Sequence, residues 1–156
     1  MLHLESAYCQ LALKILHCIG IGLQLEDENF FVKNHKALQD PTHSSNSLFR
    51  TLYYSAHVST VDCEENGVTR CGAHTDYGTL TLRIQDDIGG LKVESNGEFI
   101  EAAPIEGTVL VNIGDMLQRW TNDQLKATVS FWMRFLEISH CWKADRATVV
   151  ATYCAI

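Results

Sequence analysis

No basic run occurs in this 156-residue chain: 12 Lys and Arg are scattered among 19 Asp and Glu, for a formal charge of −7. An acidic surface of that kind argues against a nucleic-acid-binding module, although one buried arginine can still recognise a carboxylate ligand. There is no CxxC either. The six cysteines, at positions 9, 18, 63, 71, 141 and 154, follow no repeated short spacing, so neither a zinc knuckle nor a thioredoxin-like pair is indicated. An even count would suit a disulfide framework, but the start MLHLESAYCQ lacks the basic opening of a secretory signal, and intracellular thiols stay reduced. No apolar run reaches the roughly 20 residues of a membrane span, because Glu5, Gln10, Lys14 and His17 interrupt the one near the start. The expectation is a cytoplasmic protein with no nucleic-acid partner and no membrane partner. A glycine-rich phosphate loop, a nucleophile elbow and internal repeats are missing too.

What is present is ordinary for a folded protein, 46% hydrophobic and 20% charged, and long enough for one domain with a real core. Leu4, Tyr8, Leu11, Ile15, Cys18 and Ile19 fall at helical spacing, which predicts an amphipathic helix over 2–19 ending at Gly20 or Gly22. Glu26 to His35 reads as a second short helix, its acids favouring the N-terminus and Phe30 with Phe31 packing beneath. Gln39 to Ser47 reads as a loop.

From Leu48 the pattern becomes aromatic and β-branched. Strands are expected over 48–58, 71–74, 79–84 and 108–113, with a hairpin in which LKV and EFI flank an SNG turn. A short helical turn from Gly114 to Trp120, with Met116 and Trp120 read as core residues, leads to a last strand in KATVSFWMRF. The fold class that follows is mainly β with N-terminal helices, the strands forming an antiparallel roll or barrel.

Within GAHTDYGTLTL, His74 and Asp76 lie two apart in a strand and so share a face. An imidazole nitrogen and a carboxylate oxygen can hold two positions of an iron(II) facial site, which needs one more histidine. Read alone, the pair is a weak signal, and the same two residues more often meet in a structural hydrogen bond near a turn. GAHTDYGTLTL, QDDIGGLKV and NGEFIEAAPIEGTVLVNIGDMLQRWTND, in that order, resemble the iron(II)- and 2-oxoglutarate-dependent dioxygenases over Leu48 to Val129. The likeness is to the branch that includes isopenicillin N synthase and the plant hormone and flavonoid oxygenases.

The resemblance implies a double-stranded β-helix, or jelly roll, that oxidises a small organic substrate with Fe(II) and 2-oxoglutarate. It implies His74 and Asp76 as metal ligands. It also places Tyr54 where the 2-oxoglutarate pocket is often lined, with packing between two sheets as the alternative role. The chain then divides into an N-terminal helical segment at 1–47, a partial roll at 48–130 and a divergent apolar tail at 131–156.

The pattern breaks after WTN. Aligning Lys126 to Val129 with the family's approach to its second histidine puts Ser130 in that histidine's place. A serine hydroxyl is a poor ligand for iron(II). The family's Arg-x-Ser anchor for 2-oxoglutarate has no clear counterpart: Arg134 comes too early, and Arg146 heads an Arg-x-Thr. His140 and His57 are the histidines left to complete a metal set, and Cys71, three residues before His74, is expected on the opposite face. Asn112 and Asp115 either support the metal site from a neighbouring strand or satisfy turn amides. Two readings stand: an oxygenase, or a truncated or vestigial form that acts, if at all, by binding a partner such as a full-length homologue; a metal-free sugar- or carboxylate-binding jelly roll would leave GAHTDYG unused.

Overall fold

The computed structural model describes residues 2–38, 47–54, 71–132 and 148–155, of which Leu2, Ala37, Tyr53, Tyr54 and 148–155 are described by backbone alone. The chain opens with helix α1 (Leu2–Gly22), followed by the short helix α2 (Phe30–Asn34) and one 3-10 turn (Lys36–Leu38). Near the end of helix α1 Gly20 allows a close approach, because a Cβ there would collide with the carbonyl oxygen of Glu28. Helix α2 starts later than its acids suggest. Asp27 sits before it and accepts hydrogen bonds from the Asn29 amide at 3.2 Å and the Lys33 ammonium at 2.7 Å.

Among the described residues eight strands follow: β1 (Leu48–Tyr54), β2 (Cys71–His74), β3 (Leu80–Gln85), β4 (Leu91–Ser95), β5 (Glu98–Glu101), β6 (Leu110–Ile113), β7 (Ser130–Trp132) and β8 (Thr148–Ala155). Between β6 and β7 lies helix α3 (Asp115–Trp120). The hairpin β4–β5 forms where the SNG turn predicts it, with Asn96 and Gly97 both at positive φ, as a tight hairpin turn requires.

The strands make two four-stranded sheets, β1-β8-β3-β6 and β2-β7-β4-β5, and every described pairing is antiparallel. The architecture is thus a pair of N-terminal helices on a β-sheet core. The segment read from sequence as a divergent apolar tail, 131–156, contributes strand Thr148–Ala155, which lies between β1 and β3, in register with Leu48–Tyr54 on one side and Leu80–Gln85 on the other. A run of β-branched and small residues (TVVATYCA) satisfies more backbone groups as an interior strand than as a surface flap.

The core lies in two layers. Leu82 of β3 is fully buried against Tyr8 and Ala12 of α1, and Leu80 against Leu16, Phe31 and Leu117. Between the sheets, Leu91 and Trp132 are buried with Leu52, Val93 and Leu110 packed around them. Alternation along β3 therefore sends Leu80 and Leu82 to the helices and Thr81 and Arg83 to the space between the sheets. Trp120, expected in the core, is 42% exposed. Leu117 takes the buried position on α3, and Trp120 stacks on Phe31 with a centroid separation of 6.2 Å and an interplanar angle of 9°.

Candidate functional site

The segment from His74 to Thr79 carries the chain from β2 to β3 and is pinned by backbone bonds from the start of α3. The amide of Gly114 donates to Thr79 at 3.0 Å and that of Asp115 to Asp76 at 2.8 Å. Gly114 is needed for this approach, because a Cβ there would collide with the carbonyl oxygens of Gly78 and Asp76. Thr75 turns the other way and donates to Asp115 at 3.0 Å. The HxD geometry is thus held by β6 and α3, not by β2 alone.

His74 and Asp76 do converge: Nε2 lies 3.7 Å from Oδ1. The imidazole Nδ1 is 2.7 Å from the carbonyl oxygen of Gly72. A carbonyl only accepts, so Nδ1 carries a proton, and Nε2 is the ring nitrogen turned toward Asp76. Cys71 was expected on the opposite face, but its Sγ is 3.7 Å from His74 Nδ1. The cause is a register shift: Cys71 pairs with Trp132 and His74 with Ser130, so three steps on β2 match two on β7. Such a bulge resets the alternation.

The carboxylate of Asp76 is heavily engaged. Arg83 Nη2 donates to Oδ1 at 3.0 Å and to Oδ2 at 2.8 Å. Asn112 Nδ2 donates to Oδ2 at 2.8 Å, which gives Asn112 the supporting role. Arg83 Nη1 reaches the hydroxyl of Ser130 at 3.3 Å. This cluster is secluded, with the Arg83 side chain 6% and the Asp76 side chain 12% exposed. Sequence reasoning singled out His74, Asp76 and Ser130 and missed Arg83. The available signal was a cation in an otherwise apolar and threonine-rich strand, LTLRIQ, where a charge needs a partner.

Tyr54 ends β1 opposite Thr148 in the register of β8, and its side chain lies outside the described residues. His57, Arg134, His140 and Arg146 lie outside them too. A cavity of about 300 Å³ opens beside Arg83 and Gln85, with Pro104, Ile105 and Leu110 on its walls. A groove of about 440 Å³ between Leu23, Phe31 and Trp120 touches none of the HxD residues.

These donors do not compose a facial site of two histidines and a carboxylate. Among the described residues no three His, Cys, Asp or Glu side chains gather as a metal set. The residue facing His74 across the β2–β7 ladder is Ser130, and the carboxylate already carries a guanidinium. Among the described residues no helix is long and apolar enough to cross a membrane.

The sequence profile of the 2OG-Fe(II) oxygenase superfamily matches residues 45–130, and the chain belongs to that superfamily. It is 40% identical over 124 residues to the proline hydroxylase buaE of Petromyces alliaceus, a match taking in 76% of this chain and 36% of that protein. Over a shorter stretch of 68 residues it is 53% identical to a homoarginine-6-hydroxylase of Oryza sativa, covering 42% of this chain and 21% of that one. The fold superposes on a full-length Neurospora crassa protein solved in complex with alpha-KG, with a TM-score of 0.81 and 32% identity over 98% of this chain and 44% of that one. The chain thus spans about a third of the length of the curated relatives it matches.

Proposed function

We propose that this chain is a jelly-roll member of the 2OG-Fe(II) oxygenase superfamily in which His74 and Asp76 keep the inherited metal-ligand positions but no iron-dependent oxidation takes place. The observation that carries this reading is Ser130. It is paired with His74 across β2 and β7, where the second histidine is expected, and it is 1% exposed. A buried neutral hydroxyl hydrogen-bonded to a guanidinium does not replace an imidazole on iron(II). The order GAHTDYG, QDDIGG and GDMLQRWTN supports the isopenicillin N synthase-like branch. Such a protein acts, if at all, by binding a partner, for which a full-length homologue is the natural candidate.

A second reading rests on a separate observation, the orientation of His74, whose Nδ1 is held by the Gly72 carbonyl so that Nε2 lies beside the Asp76 carboxylate. Under it the protein oxidises a small organic molecule with Fe(II) and 2-oxoglutarate, as the relatives' names suggest for them. His140 would then supply the third ligand, and Tyr54 and Arg146 would face the co-substrate.

The two readings separate in one experiment. Iron(II) and 2-oxoglutarate are added without oxygen to protein shown to be folded, and the visible metal-to-cofactor charge-transfer band is followed, with Asp76→Ala alongside. No band supports the first reading. A band that disappears in Asp76→Ala overturns it and establishes the second.

A further inference from the structure

Loss of a histidine explains why a metal site is incomplete, but it does not explain Arg83. The guanidinium lies between the two sheets, 6% exposed, and its terminal nitrogens contact both oxygens of Asp76 and the hydroxyl of Ser130. The side chains it meets here are thus the inherited carboxylate and the residue that stands in the second histidine's place. Asp76 in turn has a lone pair of Oδ1 left toward His74, at 3.7 Å from Nε2. Donor atoms alone would therefore still admit an ion bound by this pair. Charge is what opposes it. A divalent ion accepted by Asp76 would lie beside the guanidinium, and repulsion between the two cations at about 4 Å weakens binding on the order of a thousandfold or more.

Taking these contacts together, we infer that Arg83 is the resident cation of this site: its guanidinium neutralises Asp76 in place of a divalent metal, and its presence keeps metal off His74 and Asp76. This rests on the reading that the chain is not an iron oxygenase and supplies a cause for it. Ser130 belongs to the same arrangement. A hydroxyl can accept from the guanidinium, whereas an imidazolium or a metal-bound imidazole there would oppose it. The site has exchanged an external cation for an internal one, and His74, held by Gly72, is left over from the earlier set.

The test is a titration with Co(II), whose visible absorption reports its ligands, followed also by calorimetry. Wild-type protein is compared with Arg83→Met, with Arg83→Gln, which keeps polar donors without the charge, and with each variant combined with His74→Ala. The wild type is expected to show no His74-dependent Co(II) binding. Removing the charge is expected to tighten Co(II) binding at least a hundredfold, and His74→Ala is expected to abolish the gain.

Two results overturn the inference. One is Co(II) binding by the wild type that is lost in His74→Ala. The other is a folded Arg83→Met or Arg83→Gln that binds no more tightly than the wild type. That second result leaves the non-oxygenase reading standing, whereas the iron and 2-oxoglutarate band tests that reading directly. The wild-type titration keeps its force even if neither variant folds.

Discussion

Strand β3 has two faces with opposite chemistry. On one, Leu80 and Leu82 are fully buried under α1 and α2 against Tyr8, Ala12, Leu16 and Phe31. On the other, Thr81 and Arg83 are buried too, but Arg83 directs its hydrogen bonds to Asp76 and Ser130. The apolar face gains from area alone and tolerates many side chains of similar volume. The polar face holds together only while every member has its partner, because an orphaned charge costs more than a lost contact. One strand thus separates a general packing surface from a specific ionic one, and divergence at the ionic side has to be concerted.

The sharpest way to break this contrast is Asp76→Ala. It strands the Arg83 guanidinium and is expected to cost about 4 kcal/mol in urea unfolding. Adding Arg83→Met to it should recover most of that loss, because an apolar pair of similar volume replaces an ion pair at little cost. If Asp76→Ala alone left stability unchanged, the ionic face would carry no structural weight.

On the opposite face, Leu82→Ala is expected to cost about 3 kcal/mol, with no rescue from any single charge change. A smaller effect comes from His35, 2% exposed beneath Trp120. Its Nδ1 donates to the Phe31 carbonyl at 2.7 Å, and its Nε2 accepts from the Thr79 hydroxyl at 2.8 Å. Burial holds its pKa below the ordinary histidine value, partly offset by the bond to Phe31. The unfolded chain therefore takes up the proton first as pH falls. Stability should be full above about pH 6.5 and decline below it, with a slope of at most about 1.4 kcal/mol per pH unit. Thermal melts from pH 7.5 to 5 check this, and His35→Gln should flatten the slope. Least of all, Ser130→Ala removes one long bond to Arg83 and should cost about 1 kcal/mol. A loss comparable to that of Asp76→Ala would make Ser130 an equal anchor of the guanidinium.

Much of this was legible beforehand because it depends on local pattern. Helix α1 as an element, the SNG hairpin and the convergence of His74 with Asp76 follow from periodicity and turn chemistry, although the buried stripe of α1 runs through Tyr8, Ala12 and Leu16, and Leu4 and Cys18 of the expected stripe are exposed. Three further features did not follow. The proximity of Cys71 to His74 depends on a bulge set by the partner strand β7, which no reading of CGAH alone contains. The exposure of Trp120 reflects how α3 rolls Leu117 inward against Leu16 and Phe31. Arg83 was overlooked because its partners are seven and 47 positions away. A charge inside a strand signals that a partner exists without saying where it is.

The placement of β8 has a consequence for how such a chain is made. Its pairing with β1 matches Leu48 to Cys154 and Tyr54 to Thr148, and its pairing with β3 matches Leu80 to Ala155. An interior strand of the first sheet is therefore the last of the described strands to leave the ribosome. At about 5–20 residues per second, several seconds pass between the emergence of β1 and that of its neighbour. During that interval β1 and β3 each lack the strand that will sit between them. Helix α1 is already available to shield Leu80 and Leu82, but it offers no backbone hydrogen bonds to a bare strand edge. Closure of that sheet therefore waits until Thr148–Ala155 has been made. Nascent chains interrupted before residue 148 should be the ones that aggregate or that chaperones retain.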